Sequence, residues 1–181
     1  RGRIAVDNGI DTESGDYMGM IGTVINLKAI SSLLNQRNIP NVLYSALNVE
    51  NVTKHYDVKI AKKEYENSVV LLAGGIGKPN FTTDTCAALR AVELDAELIL
   101  AGKYGVKGVY DKDPRLYKDA KFLKKLTYQE VLDMDLKVMD KTAISLLLHS
   151  NVITKVFSMD DMNNFILAIE DKDIGTIIKE K

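Results

Sequence analysis

A glycine-rich loop at residues 73–84 combines residue types that could hold a phosphate group. Glycine lets backbone N–H groups approach an anion closely, Thr82 and Thr83 add hydroxyl donors, and the helix predicted to follow would point its positive end at the same place. The loop is not a P-loop, because Pro79 stands where that motif has Ser or Thr, and it lacks the third glycine of the dinucleotide motif. An ordinary strand-to-helix turn with Thr83 or Asp84 as N-cap is an equally good interpretation.

Two further segments carry groups that could bind a nucleoside. The loop at 102–114 offers Tyr104 and Tyr110 as flat apolar platforms and Asp113 as a carboxylate for hydroxyl groups. Its alternative is an ordinary turn opened by the Asp-Pro pair. Asp16, at the start of a long predicted helix, could accept ribose hydroxyls or could only cap the helix. On local sequence alone, the turn and the cap are the favoured interpretations.

Charge and cysteine content narrow the class of protein. The chain has 24 Lys and Arg against 25 Asp and Glu, so it shows no electrostatic footprint for nucleic acid or an anionic membrane. The single Cys86 excludes an intrachain disulfide and favours a reducing compartment. His55 and His149 lack partners at metal-ligand spacing. The apolar runs at 69–73 and 144–148 are shorter than the roughly 20 residues that cross a bilayer, so we expect a soluble, cytoplasmic protein with no protein metal site.

Strands and helices alternate along almost the whole sequence. This order is typical of an α/β protein, a three-layer sandwich with a mostly parallel sheet and helices on both faces. No repeat or linker interrupts it, so we expect one domain over residues 1–181. Ligands in such sheets bind at the carboxyl ends of the strands, here the loops after residues 73 and 101. The predicted strands are 41–47, 68–73, 97–101 and 153–158, with a short apolar segment at 174–178, and the predicted helices are 16–37, 83–95, 127–133, 137–150 and 159–170.

Seven segments, in this order, resemble the uridylate kinase branch of the amino acid kinase family. The resemblance runs from residue 1 to about residue 178. The Asp-Tyr-Met-Gly-Met run at 16–20 and the Phe-Thr-Thr-Asp run at 81–84 are specific to that branch and are not shared by the aspartate, glutamate or carbamate kinases. The matching segments are 1–2, 15–20, 81–85, 88–93, 108–110 with 113–114, 126–128 and 136–140.

The resemblance implies an enzyme that transfers the γ-phosphoryl group of ATP to UMP, giving UDP and ADP in pyrimidine nucleotide synthesis. It implies that Asp84 and Asp140 are the catalytic carboxylates, which organise a lysine or Mg²⁺ rather than act as strong bases. The residues that it assigns to UMP are Asp16, Ile76, Gly77, Lys78, Pro79, Asn80, Phe81, Thr82 and Thr83. The residues that it assigns to ATP are Arg1, Tyr104, Tyr110 and Asp113.

The chain departs from the family pattern in both loops. Ile76 stands where the family usually has Thr, so the chain lacks the hydroxyl that Thr would donate to the nucleotide. Lys78 replaces Asn and brings a positive charge near the phosphate, and Asn80 replaces an aromatic residue. In the second loop, Tyr104 stands where Asn or Lys is common, and Lys107 where Asp is common. The phosphate cradle survives these changes, whereas recognition of the base by the first loop is weakened.

The resemblance also implies partners that no pattern in the chain shows. These are Mg²⁺ bound with ATP, a homohexameric assembly, and GTP and UTP as activating and inhibiting effectors. In the family, a lysine-bearing strand and a glycine-rich phosphate loop precede the segment that matches Arg1. We therefore expect a domain that lacks its N-terminal portion, and no kinase activity from a polypeptide of only these residues. The alternatives are a family member with another acceptor and a non-catalytic nucleotide-binding or regulatory module of the same fold.

Overall fold

The computed structural model describes residues 7–170 and 172–180 of the 181-residue chain. Contacts within the chain separate two compact units, Arg1–Cys86 and Ala87–Lys181. The boundary falls inside a helix, α3, at Thr83–Glu93. A single domain over residues 1–181 stays a prediction.

The first unit, as far as the structure describes it, is a small parallel sheet with a long helix packed on it. The strands lie in the order β2 (Lys54–His55), β1 (Asn41–Ser45) and β3 (Val69–Ala73), and both neighbouring pairs are parallel. The helices are α1 (Thr12–Gln36), α2 (Val58–Glu64) and the start of α3. Val24 of α1 packs with the buried strand residues Leu43, Leu71 and Ala73 to form the core of this unit.

Helix α1 begins four residues earlier than the sequence pattern predicted. Asp11 caps it, because its Oδ1 accepts a hydrogen bond from the backbone N of Ser14 at 2.8 Å. Asp16 therefore lies inside the helix, in its second turn. The interpretation of Asp16 as the helix cap is wrong, and its carboxylate is available for another role.

Helix α1 is also long and apolar enough, by length and composition alone, to cross a membrane, although only 11% of its most apolar window is buried within the chain. The prediction that no apolar run reaches that length overlooked it, because glycines and polar residues interrupt the run. Its inner side is bonded to the sheet: Thr23 Oγ1 accepts from Gly74 N at 2.8 Å, and Ser31 Oγ donates to Asn41 Oδ1 at 2.7 Å. Apolar helices of soluble proteins pass the same length test.

The second unit contains a mixed four-stranded sheet in the order β4 (Leu98–Lys103), β8 (Ile153–Ser158), β9 (Thr176–Lys179) and β7 (Lys125–Thr127). The β4–β8 and β7–β9 pairs are parallel and the β8–β9 pair is antiparallel. Two short antiparallel strands, β5 (Val109–Tyr110) and β6 (Phe122–Leu123), lie between β4 and β7 in the sequence. The predicted α/β class with mostly parallel pairing is confirmed.

Helices α4 (Tyr128–Asp133), α5 (Lys141–Leu147) and α6 (Asn163–Ile169) complete the described part of the second unit. Tyr128, Ile144 and Val156 are almost fully buried in its core. Helix α5 begins four residues later than predicted, because Asp140 Oδ1 accepts a hydrogen bond from Ala143 N at 3.0 Å and so caps the helix at this point.

Candidate functional site

The loop that follows β3 has a backbone that only particular residues can adopt. Gly74, Gly75, Gly77 and Asn80 all have φ between 58° and 79°, the left-handed region that glycine and asparagine tolerate best. A Cβ atom on Gly74 would lie 2.7 Å from Ser45 Oγ. The glycines are therefore required by a tight turn that packs against the end of β1.

Asp16 holds the far end of this loop. Its Oδ2 accepts a hydrogen bond from the backbone N of Asn80 at 2.7 Å, across 64 residues of sequence. Hydrogen bonds to a charged acceptor are stronger than neutral ones, so the carboxylate fixes the loop against α1. No second partner of Asp16 is found within residues 7–170 and 172–180, and Oδ1 can therefore accept a hydrogen bond from a hydroxyl group of a ligand.

Helix α1 and the loop enclose a cavity of about 320 Å³. Six of the nine residues predicted to bind UMP line it, whereas Gly77, Pro79 and Asn80 do not. Lys78 is the only cation among the described residues that form its wall. The six predicted lining residues are Asp16, Ile76, Lys78, Phe81, Thr82 and Thr83.

Sequence reasoning missed the rest of the α1 wall of this cavity. Gly15, Gly19, Met20, Thr23 and Asn26 all line it. They recur three or four residues apart with Asp16, and this spacing places residues on one face of a helix. This spacing could have identified these residues from the sequence, because it places them on one continuous face of the helix, which forms half of the site.

Helix α3 begins at the other end of the loop. Thr82 Oγ1 accepts hydrogen bonds from the backbone N atoms of Asp84 and Thr85 at 3.1 and 3.2 Å. Thr82 is therefore the N-cap, and the prediction of Thr83 or Asp84 in that position is wrong by one or two residues. Asp84 lies half-buried in the first turn, where the helix dipole favours a negative charge.

The second unit contains a larger cavity, of about 620 Å³, and three of the four predicted ATP residues line it. Tyr104 is 72% exposed at its wall, while Tyr110 is half-buried and packs against Phe122 with ring centroids 5.4 Å apart. Tyr110 therefore packs and also faces the cavity. Arg1, the fourth predicted ATP residue, lies outside the described residues.

Asp113 is tightly bound by Arg115 at the wall of this cavity. The guanidinium donates from Nε to Oδ1 at 3.0 Å and from Nη2 to Oδ2 at 2.8 Å, and the Arg115 backbone N donates to Oδ1 at 2.9 Å. The Arg115 side chain, followed by its backbone N–H, lowers the pKa of the Asp113 carboxyl to about 2. Asp113 is thus a fixed anion, and a hydroxyl ligand would have to share it with Arg115.

The two predicted catalytic carboxylates line neither of these two cavities. Asp84 belongs to the first unit and Asp140 to the second. Asp140 caps α5, as described above, and follows a stretch that does line the larger cavity at Leu136, Lys137 and Val138. The catalytic assignment of both carboxylates stays a prediction.

Comparison with known proteins gives one consistent family. The model of the amino acid kinase family matches residues 2–158. The uridylate kinase of Mycoplasma capricolum is 44% identical, and the match covers 99% of this chain and 76% of that protein. The uridylate kinase of Oenococcus oeni is 41% identical, with 99% of this chain and 74% of that protein covered.

Solved structures agree with the sequence relatives. The crystal structure of UMP kinase from Ureaplasma parvum has a TM-score of 0.93 and 37% identity, covering 99% of this chain and 77% of that one. UMP kinase from Bacillus anthracis has a TM-score of 0.94 and 31% identity, covering 100% and 75%. The chain belongs to the amino acid kinase family, and the predicted resemblance and fold class are confirmed.

Proposed function

We propose that the protein is a kinase that transfers the γ-phosphoryl group of ATP to UMP, giving UDP and ADP, as a step in pyrimidine nucleotide synthesis. The observation that carries the proposal is the cavity between α1 and the glycine loop, where Asp16 lies on one wall and Lys78 on another. Relatives that match nearly the whole chain are named uridylate kinases. A pyrimidine nucleoside monophosphate has the two features that this cavity can bind, a ribose and one dianionic phosphate.

UMP binds through complementary charges and hydrogen bonds in this arrangement. The ribose hydroxyls donate to Asp16, and the phosphate lies against the amides of the loop, with the positive end of α3 and the Lys78 ammonium nearby. Ile76, Gly77, Pro79, Asn80, Phe81, Thr82 and Thr83 complete the wall or the backbone of the loop. Ile76 gives the base an apolar contact in place of a hydroxyl donor.

ATP binds in the larger cavity of the second unit. Tyr104 and Tyr110 provide flat surfaces for the adenine, and Asp113 accepts from the ribose while Arg115 keeps it ionised. Arg1 contributes a positive charge to the phosphates. Because Asp113 is already bonded to Arg115 through both oxygens, ATP binding requires either a shared contact or a shift of the exposed guanidinium.

Phosphoryl transfer needs aligned phosphates and charge neutralisation more than it needs a strong base. The amides, Lys78 and Arg1 supply part of the positive field, and a divalent metal, Mg²⁺ in this proposal, supplies the rest while bound to ATP. Mg²⁺ in such sites is held mainly by substrate phosphates and one or two carboxylates, and the proposal assigns that part to Asp84 and Asp140. Their role is to orient the metal or a lysine.

The enzyme is proposed to work in the cytoplasm as a homo-oligomer, a hexamer, within one domain that spans residues 1–181. The outer side of α1 supports oligomer formation, because Met18, Ile21, Ile25 and Leu33 are each about half exposed or more, and such apolar patches mark interaction sites. Regulation by GTP and UTP belongs to the same proposal. Light scattering of the purified chain tests the assembly: a monomer at micromolar concentration contradicts it.

A coupled assay of the full-length protein tests the reaction. We expect ADP release that saturates with UMP and is absent without it. ADP release that ignores UMP but responds to another acceptor would favour the alternative family member. Saturable UMP binding without turnover would favour the non-catalytic module, and Asp16→Asn serves as the matched control for specific binding.

A further inference from the structure

One hydrogen bond connects α1 to the first residue of the phosphate-binding loop. Thr23 Oγ1 accepts from the backbone N of Gly74 at 2.8 Å and donates to the carbonyl O of Met20 at 2.6 Å. A hydroxyl has one proton to donate, and here that proton is directed to Met20. Thr23 Oγ1 is therefore oriented as an acceptor for Gly74, although the residue also lines the cavity.

Gly74 is the position at which the direction of the loop is set. It directly follows β3, it is buried, and its φ of 76° starts the run of left-handed residues. A Cβ on Gly74 would lie 2.7 Å from Ser45 Oγ and 3.1 Å from the backbone N of Ala46. Held by Thr23 and packed closely against the end of β1, Gly74 has little room to move, so the amides that follow it are presented at a fixed angle.

Thr23 and Asp16 act at the two ends of the same loop. They lie seven residues apart on α1, which places both side chains on one helix face, and Asp16 holds Asn80 while Thr23 holds Gly74. Met20, on the same face between them, would contact a Cβ on Gly75 at 3.6 Å. A loop held at both ends before the ligand arrives loses less conformational freedom on binding.

We propose that Thr23 is a positioning residue, which orients the amides of the loop toward the phosphate of the bound nucleotide by holding Gly74. The inference rests on the proposed function for the identity of the ligand, but the effect of Thr23 on the loop does not depend on which ligand binds. A purely structural role, in which Thr23 only ties α1 to the sheet, would predict loss of stability without a selective loss of UMP binding.

Ser31 provides a matched control on the same helix. Its Oγ donates to Asn41 Oδ1 at 2.7 Å, so it also ties α1 to the sheet, but it does not line the cavity. Thr23→Val and Ser31→Ala each delete one hydroxyl from a helix-to-sheet hydrogen bond. Thr23→Ser keeps the hydroxyl and should rescue the position.

Calorimetric titration of the chain and its variants with UMP and with ATP, together with thermal melting, tests the proposal. Thr23→Val should weaken UMP binding about tenfold, the effect of leaving one buried N–H without its acceptor, and should leave ATP binding unchanged. Thr23→Ser and Ser31→Ala should bind UMP within about twofold of the parent chain, because both keep the Gly74 contact. If the parent chain binds UMP, equal effects of Thr23→Val and Ser31→Ala on UMP binding, or no effect of Thr23→Val, would overturn the proposal. Thr23→Ala replaces Thr23→Val if the latter does not fold.

Amide hydrogen exchange at Gly74 separates this inference from the proposed function. Faster exchange in Thr23→Val but not in Ser31→Ala supports the positioning role even if the parent chain does not bind UMP, a result that would contradict the proposed function alone. Unchanged exchange in Thr23→Val would overturn the positioning role whatever the ligand is.

Discussion

Replacement of Asp16 by asparagine tests the ribose contact and leaves the loop contact in place. The asparagine side-chain oxygen can still accept from the backbone N of Asn80, which lies 2.7 Å from Asp16 Oδ2. What is lost is the negative charge and the second acceptor, which becomes an NH₂ donor. The variant therefore changes the chemistry offered to a ribose hydroxyl with little change in the shape of the cavity.

The expected magnitude follows from the kind of bond that is removed. A hydrogen bond to a charged group contributes about 1.5–3 kcal/mol, which corresponds to a loss of UMP affinity of about 10- to 150-fold. ATP affinity should be nearly unchanged, because Asp16 lines the cavity of the first unit, whereas Tyr104, Tyr110 and Asp113, three of the four predicted ATP residues, line that of the second. Calorimetric titration with each nucleotide measures both affinities.

Asp11→Ala is the matched control for this experiment. Asp11 is the actual cap of α1, so its loss should lower the folding stability and leave UMP affinity unchanged. If Asp16→Asn weakened both nucleotides equally, or weakened UMP no more than Asp11→Ala does, Asp16 would have only a structural role and the reasoning would be refuted.

Three further predictions concern the second unit. Asp140→Ala should lower turnover more than the affinity for UMP or ATP. Because Asp140 caps α5, the variant should also lose about 1 kcal/mol of folding stability. A loss of stability with normal turnover would show that Asp140 only caps the helix. Gly175→Ala should lower the melting temperature strongly, because Gly175 has φ 68° and an added Cβ would collide with the carbonyl O of Val156. Gly105→Ala is the control: Gly105 has φ 71° but open space around it, so this variant should show only the smaller cost of backbone strain. Equal effects of the two variants would contradict the steric argument. Arg115→Gln should raise the pKa of Asp113 from about 2 toward its ordinary value, and NMR titration of the carboxyl measures that change. Because the folded-state pKa is lowered, the stabilisation by this pair is present above the unfolded-state pKa and is lost as the pH falls from about 4 to about 2. The stability of the parent chain should therefore show a step in that pH window that the variant lacks.

The glycine loop and the helix face show how far sequence reasoning reaches. The loop was predicted because its three glycines lie within four residues of sequence, and they adopt the left-handed conformations that such a loop needs. The contacts of Thr23 with Gly74 and of Asp16 with Asn80 span 51 and 64 residues. No local pattern carries that information, because it depends on how α1 packs against β3.

Helix boundaries failed for a different reason. Several carboxylate or hydroxyl side chains near the start of α1 could have capped it, and the sequence alone does not distinguish Asp11 from Ser14 or Asp16. The same applies to Asp140, whose capping contact with Ala143 shortens α5. Strands β5 and β6 were missed because each has two residues, too few for any periodicity to appear.

A crystal structure of the chain with UMP tests the central claim most directly. We predict the ribose within hydrogen-bonding distance of Asp16 Oδ1 and the phosphate against the amides between Gly74 and Thr83. UMP bound elsewhere on the chain, or an unchanged cavity at saturating UMP, would contradict the account.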